Sequence, residues 1–208
     1  MTKEKSLEKI RSETVLKALD HVSSEGWTTS ALQKALQSLG HDPALFRAFF
    51  PRGVEQAIEI FSNHIDEKMK QRLESSDFDS LKIRERISLA VKTRLEILDP
   101  YRSVALKTQS YFVPLTHKKL ALKTVYRTVD TIWRLAGDTS TDFNFYTKRG
   151  LLSWVYTSSL LFWLNDTSEG YEDTHEFIDR RINEVLKIPR IKQKLKEFSF
   201  FGFRKQKS

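Results

Sequence analysis

The residues best equipped for chemistry are five histidines, His21, His41, His64, His117 and His175, and none stands in a complete catalytic pattern. Glu172-x-x-His175 has the helical spacing with which Glu and His bind iron in four-helix bundles. Such a centre needs two copies and further carboxylates, and the chain holds one copy. It reads as a surface or capping histidine on a charged helix. Asp20-His21 with Ser23 and Ser24 supplies the residue types of an acyl-transfer triad. Neighbours in sequence on a helix do not face one another, and no Gly-x-Ser-x-Gly elbow presents a nucleophile. Phosphate-cradling glycine loops, dinucleotide fingerprints and zinc-deaminase motifs are missing from the sequence. With no cysteine there is no disulfide, thiolate zinc site or Cys nucleophile. No catalytic residue and no metal ligand is assigned, so the sequence points to binding and not to catalysis.

Two stretches carry a binding signal. From Lys187 to Ser208, eight Lys and Arg residues face only Glu197, a net of +7 out of +8 for the chain. Basicity therefore belongs to the end of the chain, which weakens a reading of the whole fold as a nucleic-acid clamp. Ile188, Ile191, Leu195, Phe198 and Phe201 recur there at helical spacing, with Lys194 at the flank and Arg204 beyond. Such a stripe suits an anionic lipid surface, and we expect Ile191, Lys194, Leu195, Phe198, Phe201 and Arg204 to contact membrane. The second stretch runs from Ala136 to Arg149 and holds Phe143, Phe145 and Tyr146 in four positions. Successive helical residues lie about 100° apart, so Phe143 and Tyr146 share one face and Phe145 and Arg149 another. One narrow core face cannot absorb all three rings, and an exposed aromatic beside an arginine marks a partner surface. Asp142, Phe145, Tyr146 and Arg149 are the candidates for it.

The elements that must position these residues are helices. Ser6 to Ser24 has apolar residues at a helical period and is stopped by Gly26. Thr28 or Thr29 caps a short helix to Leu39, Gly40 turns the chain, and Asp42-Pro43 opens a third short helix that ends by Phe50-Pro51. A long helix comes next, from about Val54 to Leu73, then a linker at 75–80, a helix ending at Asp99-Pro100 and a short one from Tyr101 to Phe112. The next helix begins after Pro114 with Leu122, Val125, Val129, Ile132 and Ala136 as its inner face. Lys123, Arg127, Asp130 and Arg134 form its wet face. Gly137 closes it. Asp142 caps a helix to about Asn165, and the last body helix spans 171–187. Gly150 to Asn165 carries no charge, but its sixteen residues are fewer than the roughly 20 a bilayer span needs, so it reads as a buried core helix. Tyr111, Trp133, Trp154 and Phe162 are placed to line an apolar pocket between helices of residues 82–165. The start, Met1-Thr2-Lys3-Glu4-Lys5, lacks the apolar segment of a secretory signal, and early Glu4, Glu8 and Glu13 do not suit a transit peptide. This leads to the expectation of a bacterial chain or a mature form.

These residues carry two family resemblances. The helices around Gly26-Trp27-Thr28-Thr29, Ala31-Leu32, Leu39-Gly40 and Phe49-Phe50 resemble the DNA-binding head of TetR-type repressors, whose third helix enters the major groove. Here that stretch is His41-Asp42-Pro43-Ala44-Leu45-Phe46-Arg47, with an aspartate where phosphates would lie, so DNA binding is not expected. The more specific resemblance rests on Gly137-Asp138-x-Ser140-Thr141-Asp142-Phe143-Asn144-x-Tyr146-Thr147-x-Arg149, then Glu172-Asp173-Thr174 and Phe177, with Gly26-Trp27-Thr28, Ser38-Leu39-Gly40 and Pro100-Tyr101. These resemble the ubiquinone biosynthesis accessory family, the ninth of the COQ series. Phe145 stands where that family has tryptophan, and an aromatic is kept.

The resemblance implies an all-α, TetR-like fold with an isoprenoid or quinone lipid as ligand and no cofactor. It also implies an amphipathic C-terminal membrane helix and a homodimer through helices 142–165 and 172–187. The implied partners are membrane lipids and a di-iron ubiquinone-pathway hydroxylase that receives demethoxyubiquinone-type intermediates. The resulting organisation is a three-helix head at 6–52, a lipid-binding helical body at 53–187 and a basic tail at 188–208. The implied location is peripheral, on the cytoplasmic side of a bacterial inner membrane, or on the matrix side of the mitochondrial inner membrane for a mature eukaryotic form. The alternative is a TetR-type regulator with a lipophilic effector.

Overall fold

The computed structural model describes residues 3–74, 77–139 and 143–185, and every regular element within them is helical. In chain order these are α1 (Lys3–Glu25), α2 (Thr29–Ser38), α3 (Phe46–Phe49), α4 (Val54–Glu74), α5 (Ile83–Leu98), α6 (Arg102–Phe112), α7 (Lys118–Leu135) and α8 (Phe143–Trp163). Residues 172–185 form α9. The chain divides into two compact units, Met1–Thr139 and Ser140–Ser208.

In the first unit, local signals in the sequence become caps. Thr28 accepts a hydrogen bond from the Ala31 amide at 3.0 Å and starts α2. Leu39 ends it, and Gly40, at φ 78°, lets the His41 amide reach the Leu36 carbonyl at 3.0 Å. Asp42 accepts from the Ala44 amide at 2.8 Å, as an N-cap before proline does. The segment after Asp42 differs from the single short helix expected there. A 3₁₀ turn at Pro43–Leu45 leads into the four-residue α3, because Phe50 precedes Pro51 and leaves the helical region.

The core of this unit gathers Val15, Ala18 and Val22 of α1, Leu32 and Leu36 of α2, and Ile58, Ile65 and Met69 of α4. Val91 of α5 and Ile132 of α7 join them. Each large side chain so buried contributes about 1.5–3 kcal/mol. The Trp27 indole N–H donates to Thr108 Oγ1 at 2.8 Å and joins the start of α2 to α6.

Polar ties between α4, α5 and α7 set the rotation of α7. Asp66 and Arg94, both buried, pair at 2.7 Å, and Thr128 donates to both Asp66 oxygens at 3.1 Å. Removing one member of such a pair costs about 3–5 kcal/mol, since the other charge stays buried. Glu59 is also buried; it accepts from Arg52 and from Lys123 at 2.8 Å, with Arg127 at 3.8 Å. This corrects the faces expected for α7. Lys123 and Arg127 turn toward α4, Leu122 is 69% exposed, and Leu120, Thr128, Val129, Ile132 and Trp133 are buried. Burying carboxylates on α4 demands cations and hydroxyls opposite them, and α7 rotates to supply both. Gly137, at φ 88°, closes α7 as expected, with the Asp138 amide bonded to the Trp133 carbonyl at 2.9 Å.

In the second unit, α8 buries Leu152, Val155, Tyr156, Ser159, Leu160 and Trp163. Trp154, Leu161 and Phe162 are exposed on it. The uncharged stretch from Gly150 is therefore a two-faced helix and not one buried all round. Among the described residues no helix is long and apolar enough to cross a membrane.

Candidate functional site on α8 and α9

Arg149, four residues after Phe145, brings its guanidinium to 3.4 Å from the centroid of the Phe145 ring. It also donates to the Phe145 carbonyl at 3.3 Å. Phe145 in turn meets Tyr146 edge to face, with centroids 5.2 Å apart. Arg149 is only 3% exposed, so it supports Phe145 and does not stand open on the partner surface for which the sequence made it a candidate. Tyr146 is the residue left outside, at 69% exposure. Asp142 lies outside the described residues.

Tyr146 begins a stripe. Helical geometry puts Gly150, Trp154, Thr157 and Leu161 within an arc of about 80° from it. Gly150 is exposed, Trp154 is 49% exposed and Leu161 48%, and after Arg149 no charge interrupts this face up to Asn165. Beyond the Trp154 edge of this face, α9 contributes Phe177, stacked on Phe162 at 4.5 Å. Arg181 bridges the helices, with its guanidinium 5.3 Å from the Trp154 ring and 4.9 Å from Phe177. Stacked arginines of this kind leave an aromatic surface orderly while it stays open to solvent.

The turn between α8 and α9 is built on Asp166, which the sequence reading did not single out. Asp166 is buried and accepts from the Ser168 amide at 2.8 Å and its hydroxyl at 2.7 Å. Its other oxygen accepts from the Thr174 amide at 2.9 Å and hydroxyl at 2.5 Å. Burial pushes the carboxyl up, and the hydrogen bonds from Ser168 and Thr174 outweigh it, bringing it down to about 2. The signal was in the sequence as Asp166-x-Ser168, an Asx turn ahead of a helix.

Of the expected pocket residues, Tyr111 and Trp133 lie in the first unit, and Trp154 and Phe162 in the second. Tyr111 stacks on His117 at 4.1 Å, and burial, with Glu55 nearby, pushes its phenol up. Trp133 is buried. A cavity of about 430 Å³ between α1 and α4 is bordered by Glu8, Arg11, Glu59, Asn63, His64 and Glu67, and by none of these four residues. On α8, Ser159 is fully buried and its hydroxyl has no hydrogen-bond partner among the described residues. Ile191, Lys194, Leu195, Phe198, Phe201 and Arg204 lie outside the described residues. Among the described residues no cluster of three or more His, Asp or Glu is arranged to hold a metal.

The segment carrying α7, α8 and α9 is matched by a family model. Residues 119–189 match the COQ9 family model. The COQ9 resemblance extends well beyond that segment in individual relatives. "Ubiquinone biosynthesis protein COQ9, mitochondrial" of Rattus norvegicus is 31% identical over 189 residues, which cover 88% of this chain and 61% of that protein. The probable COQ9 of Dictyostelium discoideum is 31% identical over 192 residues, 86% of this chain and 61% of that protein. COQ9 of Homo sapiens is 29% identical over 194 residues, 88% of this chain and 59% of that protein. The chain thus spans about three fifths of the length of the COQ9 proteins it matches. In fold it is similar to the TetR transcriptional regulator from Nitrosomonas europaea, with a TM-score of 0.67 at 21% identity, over 86% of this chain and 98% of that one. The all-α, TetR-like architecture and the COQ9 resemblance read from the sequence are both found.

Proposed function

We propose that this chain acts in ubiquinone biosynthesis as a non-enzymatic lipid-binding accessory protein. It takes isoprenoid quinone intermediates from the membrane and presents them to a di-iron hydroxylase of the demethoxyubiquinone type. The observation that carries this reading is the uncharged face of α8, on which Tyr146, Trp154 and Leu161 stand exposed inside the segment matched by the COQ9 model. The names of the relatives supply the pathway, and the stacked Arg149 and Arg181 supply a reason for open aromatics to hold their positions. The orphan Ser159 hydroxyl is a group that a polar atom of a bound quinone would satisfy. In this reading Trp154 and Phe162 serve the lipid, Tyr146 and Phe145 face the hydroxylase, and the basic tail holds the chain on the membrane as a homodimer. The membrane is the bacterial inner membrane on its cytoplasmic side, or the mitochondrial inner membrane on its matrix side. The test is denaturing extraction of the purified protein followed by mass spectrometry. An isoprenoid lipid in stoichiometric amount supports the reading, and none above background opposes it.

A further inference from the structure

Among the described residues of the first unit, the two most exposed large apolar side chains stand together on the turn between α6 and α7. Val113 is 78% exposed and Leu115 81%, and Leu122, on α7, is also exposed. Leu106 on α6 and Tyr126 on α7 are exposed as well, on the two helices that lead into and out of this turn. Single surface leucines are ordinary, but here the apex itself is Val113-Pro114-Leu115, without a polar side chain.

The apex is held in shape. His117 Nδ1 lies 2.7 Å from the Tyr111 carbonyl oxygen, and the two rings stack within 7° of parallel. The His117 amide donates to the Pro114 carbonyl at 3.0 Å, across a 3₁₀ turn at Leu115–His117. The Tyr111 and His117 rings are engaged with each other, and Val113 and Leu115 stay uncovered.

Charge indicates what meets them. From Arg102 to Lys123 the sequence has Arg102, Lys107, Lys118, Lys119 and Lys123 and no Asp or Glu. Lys118 and Lys119 are exposed directly after the apex; Lys123 is drawn to Glu59 of α4. An exposed apolar turn followed at once by two exposed lysines matches a soft anionic surface, where apolar groups enter the acyl boundary and lysines stay at the phosphates.

We infer that the α6–α7 apex is a membrane-insertion point: Val113, Pro114 and Leu115 enter an anionic bilayer while Lys118 and Lys119 bind lipid phosphates. This surface lies wholly in the first unit, and the inference depends neither on the basic tail nor on a bound quinone.

The chain has no cysteine, so Leu115→Cys carries a single environment-sensitive fluorophore in the full-length protein. With vesicles of phosphatidylcholine and phosphatidylglycerol, the label shifts to the blue and is quenched by lipids spin-labelled near the headgroup. With phosphatidylcholine alone both effects largely vanish. The same label at Leu45, in the Pro43–Leu45 turn, stays in water. Val113→Asp with Leu115→Asp, at positions too exposed to disturb the core, weakens partition to the anionic vesicles about tenfold or more, with unchanged circular dichroism. An unshifted label at 115, or wild-type partition of the double variant, overturns the inference. So does a blue shift that rises with protein concentration in the absence of vesicles, since a second copy then covers the apex. Failure of the tail reading has a different signature, vesicle binding that survives deletion of residues 188–208 undiminished.

Discussion

The Arg149 guanidinium sits 3.4 Å from the centre of the Phe145 ring, and this pairing separates two roles that look alike in the sequence. Arg149 is buried and holds Phe145; Tyr146, beside them, is open to solvent. Arg149→Ala is therefore expected to lower stability by about 1–2 kcal/mol, through lost packing and the cation–π contact. Under the proposed function, Tyr146→Ala is expected to leave the melting temperature near wild type and to abolish co-purification with a di-iron hydroxylase. Thermal melts beside a pull-down measure both. Loss of folding in the Tyr146 variant, or wild-type capture by it, contradicts the assignment.

Asp166 ties the start of α9 to the end of α8. Asp166→Asn replaces an acceptor with an NH₂ group that cannot face the Ser168 and Thr174 donors, and is expected to cost about 2 kcal/mol at pH 7. The carboxyl lies at about 2 in the folded protein against 3.8 ordinarily. A depressed acid stabilises fully above its unfolded value and loses that contribution as pH falls toward the folded one. Urea titrations should show the gap between variant and wild type constant near neutrality and narrowing between 3.8 and about 2. A gap independent of pH down to that range removes the carboxylate from the account.

How far these features were legible depends on distance along the chain. Thr28, Gly40, Asp42 and Gly137 were legible because caps and stops are settled within a few residues. The rotation of α7 was not, because it answers to Glu59 and Asp66, sixty-odd residues earlier on α4, whose burial no local pattern announces. The aromatic crowding at 143–149 correctly implied an exposed ring. Which ring it is depends on Arg149 stacking on Phe145, a choice made by burial and not by spacing. Arg181 carries no local signal, because its partners, Trp154 and Phe177, sit on two helices.

Glu59 gives a second test by pH, in the first unit. Burial pushes its carboxyl up, and hydrogen bonds from Arg52 and Lys123 bring it down to about 2 from 4.5. Its cations are about half exposed and so partly screened, and Glu59→Gln is expected to cost about 1–2 kcal/mol at neutral pH. That penalty shrinks as pH falls from 4.5 toward 2 and shrinks in high salt. Equal stability of variant and wild type at pH 7 in low salt counts against the three-cation grip.

Residues 188–208 carry most of the net charge, and each near-surface Lys or Arg contributes roughly 1 kcal/mol on an anionic membrane. Their deletion is expected to leave a folded protein that loses most of its sedimentation with anionic liposomes. Adding Val113→Asp and Leu115→Asp to the deletion removes the remainder. Sedimentation undiminished by the deletion contradicts a membrane role for the tail.

The claim that the chain presents a lipid to an enzyme is tested most directly by turnover. The purified di-iron hydroxylase is supplied with a demethoxyquinone embedded in vesicles, and hydroxylated product is measured with and without this protein. The account predicts that product forms several-fold faster with the protein, and that Tyr146→Ala, still folded and still carrying lipid, restores the slow rate. Equal rates with wild-type protein, with Tyr146→Ala and with no protein would contradict it.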